Sequence, residues 1–186
     1  MSAQESSYPM PIDTAALRII VYPDPRLRQA CKPVDVFDES LRRLAQRMIQ
    51  LMHEDKGVGL AAPQVGLSLR LFVWNLTADP DKNVACINPT LADFEGMTEA
   101  EEGCLSIPDV TVKVRRHSRC TLRALDLSGK PFEMVGDDLA ARCWQHECDH
   151  LDGRLIIDRM SEADKIANRK AIKQLESKRK RGAVAL

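Results

Sequence analysis

From Asp38 to His53 the apolar positions Leu41, Leu44, Ala45, Met48, Leu51 and Met52 recur every three or four residues. That period belongs to one face of a helix, so an amphipathic helix is predicted here, with Asp38 or Ser40 as its cap. After a Gly-rich turn, Gly57-Val58-Gly59, the pattern changes. Leu69 to Trp74 is a compact apolar run, and Val84 to Ile87 is another that stops at Asn88-Pro89. Val110 to Val114 alternates apolar with polar, as does Cys120 to Leu125, where Thr121, Arg123 and Leu125 share a face. Ser128-Gly129-Lys130-Pro131 supplies a turn before Phe132 to Val135. These segments read as short strands. Helical spacing returns from Asp138 to Leu151 and ends at Asp152-Gly153, where the glycine suits a left-handed cap. A last, strongly polar helix runs from Ser161 to about Arg179, with Ile166, Ile172 and Leu175 as a thin apolar stripe. Strands grouped between helices predict an α+β fold: mostly antiparallel, short-stranded sheets around the helix 138–151, with a C-terminal helix.

At 186 residues the chain suits one well-buried domain. Residues 1–16 are aperiodic and read as a loose N-terminal arm, leaving 17–186 as a single domain whose last part, 161–186, is a basic helix and tail. The formal net charge is zero, so the molecule as a whole advertises no DNA-binding or membrane surface. Its distribution is uneven. Residues 161–186 carry eight cations (Lys165, Arg169, Lys170, Lys173, Lys178, Arg179, Lys180, Arg181) against Glu162, Asp164 and Glu176. The first 16 residues hold no Lys or Arg and no apolar run, which argues against a secretory or mitochondrial leader. No segment approaches the roughly 20 apolar residues of a membrane span. The six cysteines form no paired framework. Reduced thiols and a cytoplasmic setting are the expectation.

The chemistry concentrates in Gln145-His146-Glu147-Cys148-Asp149-His150, inside the predicted helix 138–151. Histidines four residues apart stand one turn above each other, so both imidazoles reach one metal ion. Glu147 lies beside them, where a carboxylate accepts a proton from an activated water. Leu139, Cys143, His146, Glu147 and His150 form one stripe, with Arg142 and Asp149 towards its flanks. A stripe mixing ionisable groups with Leu and Cys points them inward. Satisfied core histidines would account for one such residue well and for a pair with a glutamate poorly.

A catalytic site of this kind needs a third protein ligand and one open position. No histidine follows His150, and His53 and His117 stand alone in polar surroundings. Glu162 is a candidate, but it opens the basic helix. A thiolate remains. Cys31, Cys86 and Cys120 read as small buried apolar residues. That leaves Cys104, in a loop-like segment from Glu101 to Pro108, together with Cys143 and Cys148 of the helix itself.

Three segments, in this order, resemble the signature motifs of the peptide deformylases. They are Gly57-Val58-Gly59-Leu60-Ala61-Ala62-Pro63-Gln64, Glu102-Gly103-Cys104-Leu105-Ser106, and Gln145 to His150. Val21-Tyr22-Pro23-Asp24-Pro25-Arg26-Leu27-Arg28 is similar to the family's usual start, and the likeness extends from about Leu17 into the C-terminal helix. With no insertion between the first two motifs and a long last helix, the chain resembles the branch common in Gram-negative bacteria. The resemblance implies hydrolysis of the N-formyl group from the formyl-methionine of nascent polypeptides, releasing formate. It implies one divalent metal ion on Cys104, His146 and His150, with Fe²⁺ in the cell and Zn²⁺, Ni²⁺ or Co²⁺ in preparations. Glu147 is then the general base, and the Gln64 side chain and the Leu105 backbone N–H stabilise the oxyanion. Substrate binding falls to Gly57, Val58, Gly59, Leu60, Glu102, Gly103, Leu139 and Cys143. Gly59 lets the peptide backbone pair as an added strand. Val58, Leu60, Leu139, Cys143 and the His146 ring wall an apolar pocket for methionine.

Two rival readings make different demands. A metallopeptidase shares the His-Glu-x-x-His pattern but cuts internal peptide bonds. A structural metal module would close a four-ligand site with Cys143 or Cys148. The basic C-terminal helix reads either as a solvated face or as a surface that docks on ribosomal RNA through phosphate contacts.

Overall fold

The computed structural model describes residues 12–77 and 79–182, of which 179–182 by backbone alone. Residues 1–11 of the expected arm, residues 183–186 of the tail and the side chains of Arg179, Lys180 and Arg181 lie outside the described part.

The first helix, α1 (Glu39–Glu54), buries Leu41, Leu44, Ala45, Met48, Leu51 and Met52, the stripe its period announces. Asp38 Oδ1 caps it by accepting from the Leu41 N–H at 3.0 Å. Three strands follow, β1 (Gly59–Ala61), β2 (Leu71–Trp74) and β3 (Val84–Glu95). A hairpin comes next, β4 (Thr98–Cys104) and β5 (Ile107–Arg116), then β6 (Arg119–Leu125) and β7 (Pro131–Asp137). Helix α2 (Asp138–Leu151) has the predicted bounds, and Gly153 beyond it takes φ +73°. Helix α3 (Glu162–Gly182) closes the described chain.

The antiparallel strands form a five-stranded sheet in the order β1-β2-β3-β6-β7 and a separate β4-β5 sheet. β2 explains why its sequence is apolar throughout. Leu71 and Val73 face the α1 side, while Phe72 and Trp74 face the α2 side, so both faces are covered. Trp74 meets Trp144 of α2 edge to face, with ring centroids 5.3 Å apart, and pins that helix to the sheet.

Four local expectations change. β3 does not stop at Asn88-Pro89. Asn88 adopts φ +51° and the register with β6 shifts between Ile87 and Thr90, so a bulge absorbs the proline and the strand continues. The Asn88 amide stands in for a strand partner: its Oδ1 accepts from the Val34 N–H and its Nδ2 donates to the Val34 carbonyl, both at 2.8 Å. Cys104 is not in a loop but ends strand β4, whose polar, half-exposed sequence hid it. In α3, Ile166 is 77% exposed; Ala171, Ile172 and Leu175 make the packed stripe against β5. Residues 12–16 are not loose: Ile12 packs on the α1 core and Asp13 caps a short 3-10 turn at Thr14–Ala16.

Candidate active site

Helix α2 packs against the five-stranded sheet, and the β4–β5 hairpin reaches it through Glu102 and Arg116. A cleft of about 490 Å³ opens between α2, the Gly57–Gly59 segment and β4. Of the residues singled out by sequence, Gly57, Val58, Gly59, Gln64, Glu102, Gly103, Cys104, Leu105, Leu139, Cys143, His146 and Glu147 line it. Leu60 does not. Strand alternation turns its side chain to the opposite face, among the α1 core residues.

The ligand atoms of Cys104, His146 and His150 lie within 4.8 Å of one another, and Cys104 Sγ is 3.2 Å from His150 Nε2. The helix supplies two of these atoms by its pitch. The third arrives from the end of β4, more than forty residues away in sequence. Cys143 and Cys148 are not part of this group: the Cys143 thiol donates to the Val58 carbonyl at 3.7 Å, and Cys148 packs among apolar residues of the sheet side. One sulfur and two imidazole nitrogens converging at this range suit a divalent transition metal, and three protein ligands are the composition of an open, catalytic site.

Glu147 is buried directly beside them, and its Oε2 has no hydrogen-bond partner in the protein. A buried carboxylate oxygen left without a partner is expensive unless the site supplies one, as a water at the metal would. Burial pushes the Glu147 carboxyl up to about 7, into the range of a working general base. Gly59 is the residue that admits it. A Cβ there would fall on Glu147 Oε1 and within 3.0 Å of Cys143 Sγ.

Gln64 is fixed by what surrounds it. Its Oε1 accepts from the Ala61 N–H at 2.8 Å, so its amide nitrogen must face the other way. Nε2 then lies 3.3 Å from Ser106 Oγ and 3.6 Å from Cys104 Sγ. The N-terminal segment straps both pieces in place: the Ile20 N–H donates to the Gln64 carbonyl and the Tyr22 N–H to the Ser106 carbonyl, each at 2.8 Å.

Glu102 has a different place from a simple substrate contact. Its carboxylate accepts from Arg116 Nε and NH2 at 2.7 and 2.9 Å, and from Arg142 at 3.1 Å. It also pairs with His146 Nδ1 at 3.2 Å. That contact holds the ring so that Nε2 faces Cys104 and His150. Burial opposes its ionisation, but hydrogen bonds from His146 and Arg116 outweigh this and hold it at about 2. Arg116 continues inward to Asp149 at 2.9 Å, and Asp149 to Arg159 at 2.7 Å. Asp149, at the flank of the α2 stripe, is buried by these partners. Sequence reasoning passed over Arg116, although a signal was present: it follows Val110, Val112 and Val114 in the buried phase of β5.

Residues 16–166 match the family profile described as polypeptide deformylase. The peptide deformylase of Acidobacterium capsulatum is 50% identical over 145 residues, 77% of this chain and 85% of that one. That of Alkalilimnicola ehrlichii is 44% identical over 162 residues, 87% and 91% of the two chains. Among solved structures, a peptide deformylase from Legionella pneumophila superposes with a TM-score of 0.82 at 42% identity, covering 89% of this chain and 98% of that one. One from Plasmodium falciparum gives 0.85 at 36% identity, covering 88% and 97%.

Proposed function

The chain belongs to the polypeptide deformylase family, and on that premise we propose how its residues divide the work of removing the formyl group from the formyl-methionine of nascent polypeptides. It is a metal-dependent amide hydrolase that releases formate. The observation that carries our assignment is the convergence of Cys104, His146 and His150 beside the buried Glu147 carboxylate.

Cys104, His146 and His150 would hold the divalent ion, with Glu102 fixing the His146 ring from behind. When bound, the ion acts as a Lewis acid that lowers the pKa of water towards neutrality. Glu147 takes the proton from the attacking water and delivers it to the leaving amine, a role supported by its raised pKa. Gln64 Nε2 and the Leu105 backbone N–H receive the oxyanion as the formyl carbon becomes tetrahedral. Gly57, Val58 and Gly59 take the peptide backbone as an added strand, opposite Gly103. Val58, Leu139, Cys143 and the His146 ring receive the methionine side chain. The thiolate–imidazole set suits several borderline ions. We assign Fe²⁺ as the ion in the cell and Zn²⁺, Ni²⁺ or Co²⁺ as occupants of preparations, to be read by elemental analysis of protein purified without oxygen. The six free thiols, one of them a ligand, fit a reducing cytoplasm. No helix among the described residues is long and apolar enough to cross a membrane.

Formyl-Met-Ala-Ser, its unformylated counterpart and casein separate this reading from a metallopeptidase. Formate release from the first alone is expected; cleavage of casein would overturn it. Cys104→Ala is expected to lose metal and turnover together, and unchanged metal content would move the third ligand elsewhere.

A further inference from the structure

Helix α2 lines the cleft with Leu139, Arg142, Cys143 and His146 beside the Glu147 carboxylate, Arg142 standing at the flank of that stripe. Three suit an apolar side chain. Arg142 does not, yet its side chain is only 14% exposed and its Nε is buried without a partner. An arginine held this way contributes its three methylenes to an apolar wall while its charged end is satisfied elsewhere. That end has two fixed acceptors, both on β4: Arg142 NH2 donates to the Glu101 carbonyl at 3.2 Å and to Glu102 Oε1 at 3.1 Å. Together with the contacts His146–Glu102 and His150–Cys104, these tie the α2 wall of the cleft to the β4 wall beside Gly103.

We propose that Arg142 is a specificity-determining residue, setting the width and inner end of the pocket for the first side chain of the substrate. The inference rests on the deformylase reading and on the cleft being the substrate site. Its two contributions are separable. The stem fills pocket volume, and the guanidinium clips β4 to α2. The metal ligands are supported independently, because Arg116 alone engages both oxygens of Glu102 and leaves His146 held when Arg142 is gone.

The test compares wild type with Arg142→Lys, which keeps a stem and a donor, and Arg142→Ala, which removes both. Each is measured with formyl-Met-Ala-Ser and formyl-Phe-Ala-Ser, for inhibition by the product Met-Ala-Ser, and for Co²⁺ affinity by chelator competition. In Arg142→Ala, the preference for formyl-Met over formyl-Phe should fall about 10-fold or more, in line with the value of pocket methylenes in discrimination. KM and the product inhibition constant should rise together, with kcat and Co²⁺ affinity changed by less than about threefold. Arg142→Lys should recover part of the preference. An unchanged formyl-Met to formyl-Phe ratio in both variants would overturn the proposal, as would a loss confined to kcat or to Co²⁺ affinity. Failure of wild type to deformylate formyl-Met-Ala-Ser would instead overturn the underlying functional reading.

Discussion

Gln64 shows how a single side chain is given a direction. The Ala61 N–H can only donate, so it captures Oε1 and turns Nε2 toward Cys104 and Ser106. Replacing Gln64 with Leu removes the donor at similar volume. Loss of one such donor costs about 10²–10³ in kcat in related acyl chemistry. We expect a fall of that order at pH 7, with metal content unchanged by elemental analysis. Equal loss of metal would instead assign Gln64 a structural role at the thiolate. Gly59 is bound by the neighbouring constraint, since a side chain there would displace the Glu147 carboxylate. Both demands are invisible to composition: a glutamine after a Gly-rich turn carries no sign of which way its amide faces.

Among the elements, α2 was the most legible and α3 the most divided. The histidine pair, the capping glycine and the apolar spacing of α2 are all local, so its bounds followed from the chain alone. Strand β4, which brings Cys104, was not legible, because it is polar and pairs only with β5, whose own alternation was read. α3 has two faces. Ala171, Ile172 and Leu175 pack against β5, and Asn168 Nδ2 donates to the Thr111 carbonyl at 2.9 Å. The outer face leaves Ile166 exposed with cations around it. We propose this outer face as a contact to ribosomal RNA. Deleting the helix would strip the β5 packing as well, so the cleaner variant changes Lys165, Arg169, Lys170 and Lys173 to Gln. If these cations meet phosphates, ribosome affinity measured by sedimentation should fall and the slope of log K against log salt should flatten by up to about 3–4. Unchanged binding at every salt concentration would return α3 to a solvated helix face.

Over the whole molecule, one buried charge chain joins the parts. His146, Glu102, Arg116, Asp149 and Arg159 link α2, β4, β5 and the 3-10 turn at Ile156–Arg159. Arg116 is its centre, with 2% of its side chain exposed. Arg116→Met would leave two buried carboxylates facing each other without their shared cation. Breaking a buried pair in this way costs about 3–5 kcal/mol. Urea melts of the metal-free protein should register a loss of that size, and a loss below about 1 kcal/mol would mean that water or Arg142 and Arg159 compensate. The sequence by itself determined the helices, the α+β class, the His146–Glu147–His150 group and, through three motifs, the family. These are local periodicities or short ordered strings, written into neighbouring residues. Tertiary structure alone decided the rest. It brought the Cys104 sulfur to the two imidazoles, aimed Gln64, turned Leu60 away from the cleft and recruited Arg116 and Arg142 to the site. Those outcomes depend on strand register and on which face of a pleated strand meets a helix. No window of adjacent residues encodes either, because contacts across a sheet join positions tens of residues apart.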